Sequence, residues 1–139
     1  MAVFLNNNVG VKINSVDLSD LVTAVTINRV FDELEVTAMG DTAHKFVKGL
    51  ESSTVTIDFL NDTAAGKTLA TLQAAWGTTV TCVFLQTKGT AVSATNPLYT
   101  VSLLINNTTD INGATSDIGV QSITFTANST VAVATSGTF

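Results

Sequence analysis

Charge is what this sequence has least of: Asp, Glu, Lys and Arg together make up 12% of it, against roughly 25% in ordinary soluble domains. A free monomer with so few surface charges is weakly protected against association. Much of its surface is therefore expected to be covered by neighbours in an assembly. The net charge of −5 leaves no basic stripe to replace phosphate counterions, which excludes a surface that grips nucleic acid. A single cysteine, Cys82, excludes an intrachain disulfide framework and a cysteine-based zinc cluster. Within V-T-C-V-F-L it reads as a small buried hydrophobe. A single histidine, His44, rules out a histidine-rich metal site, and no G-x-S-x-G turn accompanies it to suggest a triad. No run of apolar residues is long enough to span a bilayer. The first residues, M-A-V-F-L-N-N-N, lack the basic and long apolar regions of a signal peptide. Synthesis and assembly in the cytosol are the expectation, and the sequons at Asn106, Asn107 and Asn128 then carry no glycan.

What is abundant is Thr, Asn, Val and Ala, and Thr and Val fit a pleated, half-buried surface better than a helix. The 139 residues are read as a single domain, residues 1–139, long enough to bury roughly two-thirds of the unfolded surface. Alternation places strands at 9–13, 21–30, 79–87, 97–107 and 120–127, with Val25, Ile27, Ile123 and Phe125 facing the core. Asn14-Ser15 marks a turn, and residues 130–139 read as a short strand or a tail. The cleanest strand is Thr54–Leu60, with Val55, Ile57 and Phe59 inward and Thr54, Thr56 and Asp58 outward. Only one segment changes period. Ala65, Leu69, Leu72 and Trp76 lie on one helical face, after N-cap candidates Asn61, Asp62 and Thr63 and before Gly77 as the left-handed stop. A helix over about 63–76 is predicted, packed by Leu69, Leu72 and Trp76 on a sheet. The sum is a mainly β domain, a β-sandwich or barrel of seven or eight strands with one flanking helix and a projecting hairpin.

The chemical motifs are weak. Gly66-Lys67-Thr68 resembles the end of a phosphate loop, but the required first glycine falls on Asn61, and the triplet is expected inside the helix. Asp110-Ile111-Asn112-Gly113 has the start of a calcium loop but reaches Gln121 where a bidentate glutamate is needed, so an Asx-type turn is expected. Glu33 and Glu35 share one strand face beside Asp32, a pattern read as a solvated or salt-bridged contact surface rather than acid–base machinery. No catalytic constellation is found, and no enzyme, cofactor or metal is expected.

About half of the charged residues fall within positions 30–61. Two arms, 32–39 and 42–48, reverse at Gly40-Asp41 and form a charged hairpin (about 31–48) on a nearly uncharged body. Phe31, Asp32, Glu33, Leu34, Glu35, Met39, Asp41, His44, Lys45, Phe46 and Lys48 are its candidate subunit-contact residues.

The order of segments resembles the tail tube (major tail) proteins of long-tailed bacteriophages. The likeness is carried by E-V-T-A-M-G-D followed by G-L-E-S-S-T-V-T-I-D, then T-L-A-T-L-Q-A-A-W-G, T-V-T-C-V-F-L, N-P-L-Y-T-V-S-L-L-I and I-G-V-Q-S-I-T-F-T-A. Together these cover roughly residues 12–127. The resemblance implies a small β-sandwich or barrel, self-assembly into hexameric rings, and stacking of rings into a hollow tube. DNA would be non-specific cargo through an acidic lumen, other virion proteins would be partners, and no membrane is involved. Residues 31–48 would reach the adjacent ring, and sheet edges would pair between subunits. The chain is compact beside family members with a long N-terminal arm or an added C-terminal domain. Two other readings stand beside it: a capsid decoration protein of the same fold, and a host- or carbohydrate-binding β-sandwich. The last would expose aromatic rings, whereas the one Trp and one Tyr read as core or near-core positions.

Overall fold

The computed structural model describes residues 8–139, so the signal-peptide reading of the first residues falls outside the described residues. The chain runs through β1 (Gly10–Ile13), β2 (Val16–Asp17), a 3-10 turn (Ser19–Leu21), β3 (Val22–Asn28), β4 (Phe31–Glu35), β5 (Phe46–Glu51) and β6 (Thr54–Leu60). Helix α1 (Thr68–Ala75) follows, then β7 (Thr79–Leu85), β8 (Leu98–Leu104), β9 (Val120–Ala127) and β10 (Ala132–Ala134). The architecture is mainly β with one short helix, as the alternation implied.

Eight strands form one antiparallel sheet, ordered β2-β1-β7-β8-β9-β6-β3, with β10 also on β8. β4 and β5 form a separate two-stranded ribbon. The large sheet forks at β8. Its last residues pair with β9 through Leu103↔Ala127 and Leu104↔Thr126, while its first residues pair with β10 through Leu98↔Ala134 and Thr100↔Ala132. The two halves close over one core. Val11, Ile13, Cys82, Phe84, Val101 and Leu103 from one half join Val55, Ile57, Phe59, Ile123 and Phe125 from the other in a single buried cluster. This is the sandwich-like arrangement that period-2 strands with one apolar face require. Val25 and Ile27 on the outer strand β3 are only half-buried.

Asn14 and Ser15 both take the left-handed backbone, φ 50° and 68°, which suits the tight turn between β1 and β2. Cys82 is fully buried, and burial pushes its thiol pKa up to about 12.

Helix α1 departs from the expected 63–76 at its start. Gly66 at φ 73° reverses the chain, and the Asp62 carboxylate accepts from the Ala64 N–H in a turn that precedes the helix. Lys67 is the residue before the first helical turn and offers no side-chain cap. The buried face is Thr68, Thr71, Leu72 and Ala75, not Ala65, Leu69, Leu72 and Trp76. Leu69 is half-buried and Ala65 exposed. Trp76 is 56% exposed because the helix ends at Ala75 and Trp76 is already extended, with φ −51° and ψ 127°. Helical spacing no longer governs where its side chain goes. Gly77 adopts the left-handed backbone expected of the stop residue, φ 75°. The expectation that both Trp76 and Tyr99 are core-like therefore fails for Trp76, while Tyr99 is half-buried.

A second buried row lies on the outer face of the sheet. Register aligns Gly10, Leu85, Leu98 and Ala134, opposite in pleat to the core residues. Leu85 and Leu98 are 2% and 9% exposed yet stand outside the main cluster. The C-terminal Phe139 ring sits on this row at Gly10, where an added Cβ would come within 2.8 Å of it, and Lys12 Nζ lies 4.4 Å from the ring centroid. Phe139→Ala is expected to cost about 1–2 kcal/mol, less than full burial of such a ring because part of it remains exposed. Gly10→Ala should destabilise the parent and cost much less in Phe139→Ala, as read by urea denaturation of the four-member cycle. Strictly additive losses would show that the ring does not pack on Gly10.

Candidate functional site

The β4–β5 ribbon carries all eleven sequence-assigned contact residues, and every one of them lies outside the large sheet. Pairs Glu33↔Lys48, Leu34↔Val47 and Glu35↔Phe46 set its register. The register shifts between Phe31 and Glu33, with Phe31 opposite Glu51, so β5 spends one extra residue there. Gly49 occupies that irregularity because a Cβ would lie 2.8 Å from the Asp32 carbonyl oxygen. Residues on opposite strands share a face when directly paired, which sorts the ribbon into two sides. One side carries Glu33, Glu35, Phe46 and Lys48, with Lys48 Nζ 5.6 Å from the Phe31 ring centroid. The other carries Leu34, Val36 and Val47.

The tip is built by short-range bonds. Asp41 N–H donates to the Ala38 carbonyl at 3.1 Å, closing a turn in which Gly40 has φ 91°. The Asp41 carboxylate accepts from the Ala38 N–H at 2.8 Å and from Lys45 Nζ at 2.7 Å. Val36 N–H donates to the Lys45 carbonyl, and Lys45 N–H to the Thr37 hydroxyl. His44 Nδ1 lies 3.1 Å from Glu35 Oε1, and its ring stands 6.4 Å from that of Phe46. The reversal at Gly40-Asp41 is thus where the sequence placed it, although regular pairing stops at Glu35 and Phe46 rather than running to the turn. At the base, Ser52 N–H donates to the Val30 carbonyl, and Glu51 accepts from the Ser53 hydroxyl and the Val131 N–H. The Val131 and Ser53 donors hold the Glu51 carboxyl below its ordinary range.

Ten of the eleven assigned residues are exposed and Asp41 is half-exposed. Met39 is fully exposed at the tip. Sequence reasoning passed over four apolar members: Val30, Val36, Val47 and Leu50, the last 81% exposed. Alternation counted along V-K-G-L-E loses step at Gly49, so Leu50 gave no strand signal. The ribbon from 30 to 51 holds five acids against two lysines.

Elsewhere the weak motifs are accounted for by structure. Lys67 and Thr68 sit at the helix start rather than inside it, a correction that follows from the Gly66 reversal. The Thr68 hydroxyl is buried and donates to the Leu60 carbonyl, so it is committed to tethering the helix to β6. Asp110 accepts from the Thr108 hydroxyl, and Asn112 donates to the Val120 carbonyl. Among the described residues no three acidic, His or Cys side chains gather in metal-binding proximity. No protein-family model matches the sequence, and no curated protein is significantly similar to it.

The Lys45 ammonium, and after it the Ala38 N–H, hold the Asp41 carboxyl below its ordinary value of 3.8. A depressed folded pKa stabilises the tip above 3.8, and that contribution is lost as pH falls through the lowered value. The Ala38 amide resonance, followed by NMR against pH, should shift with an inflection below 3.8, and Asp41→Asn should abolish it. An inflection at or above 3.8 would contradict the assigned contacts.

Proposed function

We propose that this is a self-assembling virion structural protein whose subunits form stacked, hexameric rings of a phage tail tube. The observation that carries the reading is the free ribbon. A two-stranded hairpin alone is at best marginally stable in water. This one nonetheless leaves Phe31, Leu34, Phe46 and Leu50 between 46% and 81% exposed. Side chains of that kind in solvent mark a contact surface. The low charge of the whole chain, the acidic net charge that lets DNA slide without sticking, and the segment order noted in the sequence support the same reading. The role is structural, with the ribbon as contact arm and the sheet as its mount. Location in the virion, with assembly in the host cytoplasm, belongs to the same proposal.

Negative-stain microscopy of the purified protein is expected to give hollow tubes or sixfold rings. Replacing 32–47 with a Gly-Ser linker should abolish polymerisation while circular dichroism keeps the β signature. Trimers, or binding only to empty capsids, would instead favour the capsid decoration protein. Unaffected tubes in the linker variant would refute the role given to the ribbon.

A further inference from the structure

We propose that the hairpin of one copy docks, tip first, on the surface formed by loop 106–119 and Trp76 of the next copy. The proposal rests on the self-assembly reading above and names the receiving surface, which that reading leaves open. Among the described residues, large exposed apolar side chains fall into two groups and one outlier. Eight lie between 30 and 50, four are Trp76, Ile111, Ile118 and Val120, and Val133 stands apart. Two different patches on one chain make a heterologous, head-to-tail contact, which generates rings or open stacks rather than a closed pair.

Placement favours this pairing. The ribbon leaves the body where β6 begins, at Thr54, whereas Val120 pairs with Leu60 at the other end of β6. Six residue steps separate the two, about 20 Å at a strand rise of roughly 3.3 Å. Within one chain the tip does not reach the patch: Met39 is fully exposed and Ile111 is 95% exposed. Loop 106–119 is held to the sheet beside that far end. Gln121, fully buried, accepts from the Thr109 N–H, and Asn112 donates to the Val120 carbonyl. On the flank of this loop Trp76, Gln73, Thr108 and Asp110 line an open concavity of about 310 Å³, room enough for an unbranched side chain such as Met39.

Charge selects the tip over the arms. The loop carries Asp110 and Asp117 and no cation. The ribbon arms, with Asp32, Glu33 and Glu35, would be repelled by it. At the tip Lys45 balances Asp41 and its side chain is 62% exposed, so the tip approaches an acidic loop with less repulsion than the arms.

The test mixes two single-site variants of the full chain, Met39→Cys and Ile111→Cys, both at exposed positions where the fold does not depend on the side chain. Native Cys82 is buried and its thiolate scarce, so it stays out of the exchange. After mild oxidation under assembly conditions, the mixture is expected to give a disulfide-linked heterodimer several-fold in excess of the homodimers formed by either variant alone. In parallel, emission of Trp76, the chain's one tryptophan, should shift to the blue on assembly and become at least twofold less quenchable by acrylamide. Tubes or rings without the heterodimer, or with Trp76 as quenchable as before, would overturn the docking and leave self-assembly standing. Homodimers of Met39→Cys in excess would show tip-to-tip contact and overturn it equally. A parent protein that stays monomeric at every concentration would remove both proposals.

Discussion

The antiparallel pairing of β6 with β9, unbroken from Thr54↔Thr126 to Leu60↔Val120, is the constraint on which the rest of the molecule depends. It fixes which pleat faces inward, and a slip of one residue would turn Val55, Ile57, Phe59, Ile123 and Phe125 to solvent together. It also fixes where everything else departs. The ribbon joins at the Thr54 end and the helix hangs from the Leu60 end through the Thr68 hydroxyl. Outward on the same pair, Thr56 and Thr124 hydroxyls bond one another and Ser122 bonds Asp58, so the solvent side is knitted by hydroxyls where charges are few. The Thr-rich composition and the scarcity of charge are two views of that surface.

Sequence reached the strands wherever period 2 held. β6 was legible residue by residue and β9 through Ile123 and Phe125, because each buries one face fully and the other less, whereas the buried Gln121 was not foreseen. Gly77 and the Asn14-Ser15 turn were legible for a different reason, since positive φ restricts the residue types that fit. The helix start and Trp76 were not. Both depend on where the backbone leaves helical geometry, at Gly66 and at the end of Ala75, and a spacing argument assumes that it does not leave. Leu85 and Leu98 escaped for a tertiary reason. They sit on the pleat opposite the core, in register with Gly10, where the C-terminal Phe139 packs. In the ribbon, the charged and aromatic members were legible as a cluster, whereas Leu50 depended on the β5 irregularity at Gly49.

The ribbon has to survive without a core. Its cohesion comes from cross-strand neighbours and a bonded tip, with Glu33 facing Lys48, His44 against Glu35, and Asp41 holding both Ala38 and Lys45. Exposed ion pairs contribute little each, about 0–1 kcal/mol, so the arm is held in shape more by register and turn than by electrostatic energy. Its base is more firmly set. Ser53 is buried, and Glu51 ties the start of β6 to Val131 ahead of β10. A stiff root with a lightly held blade suits a contact arm, since the ordering that remains can be completed against a neighbour.

Both long edges of such a ribbon carry unpaired backbone groups, and two ribbons could in principle zip together. The charge pattern opposes that. In a parallel, in-register pairing of two β4 strands, Asp32, Glu33 and Glu35 would face their own copies, while the lysines lie at 45 and 48 on the other arm and the tip. Like charges directly across a strand pair are destabilising. In the proposed assembly the acids therefore have a task separate from adhesion. They keep arms from pairing sideways and leave the near-neutral tip, with Met39 outermost, as the part able to enter a partner's apolar surface. A chain with little charge overall places about half of it between residues 30 and 61, on and beside this ribbon.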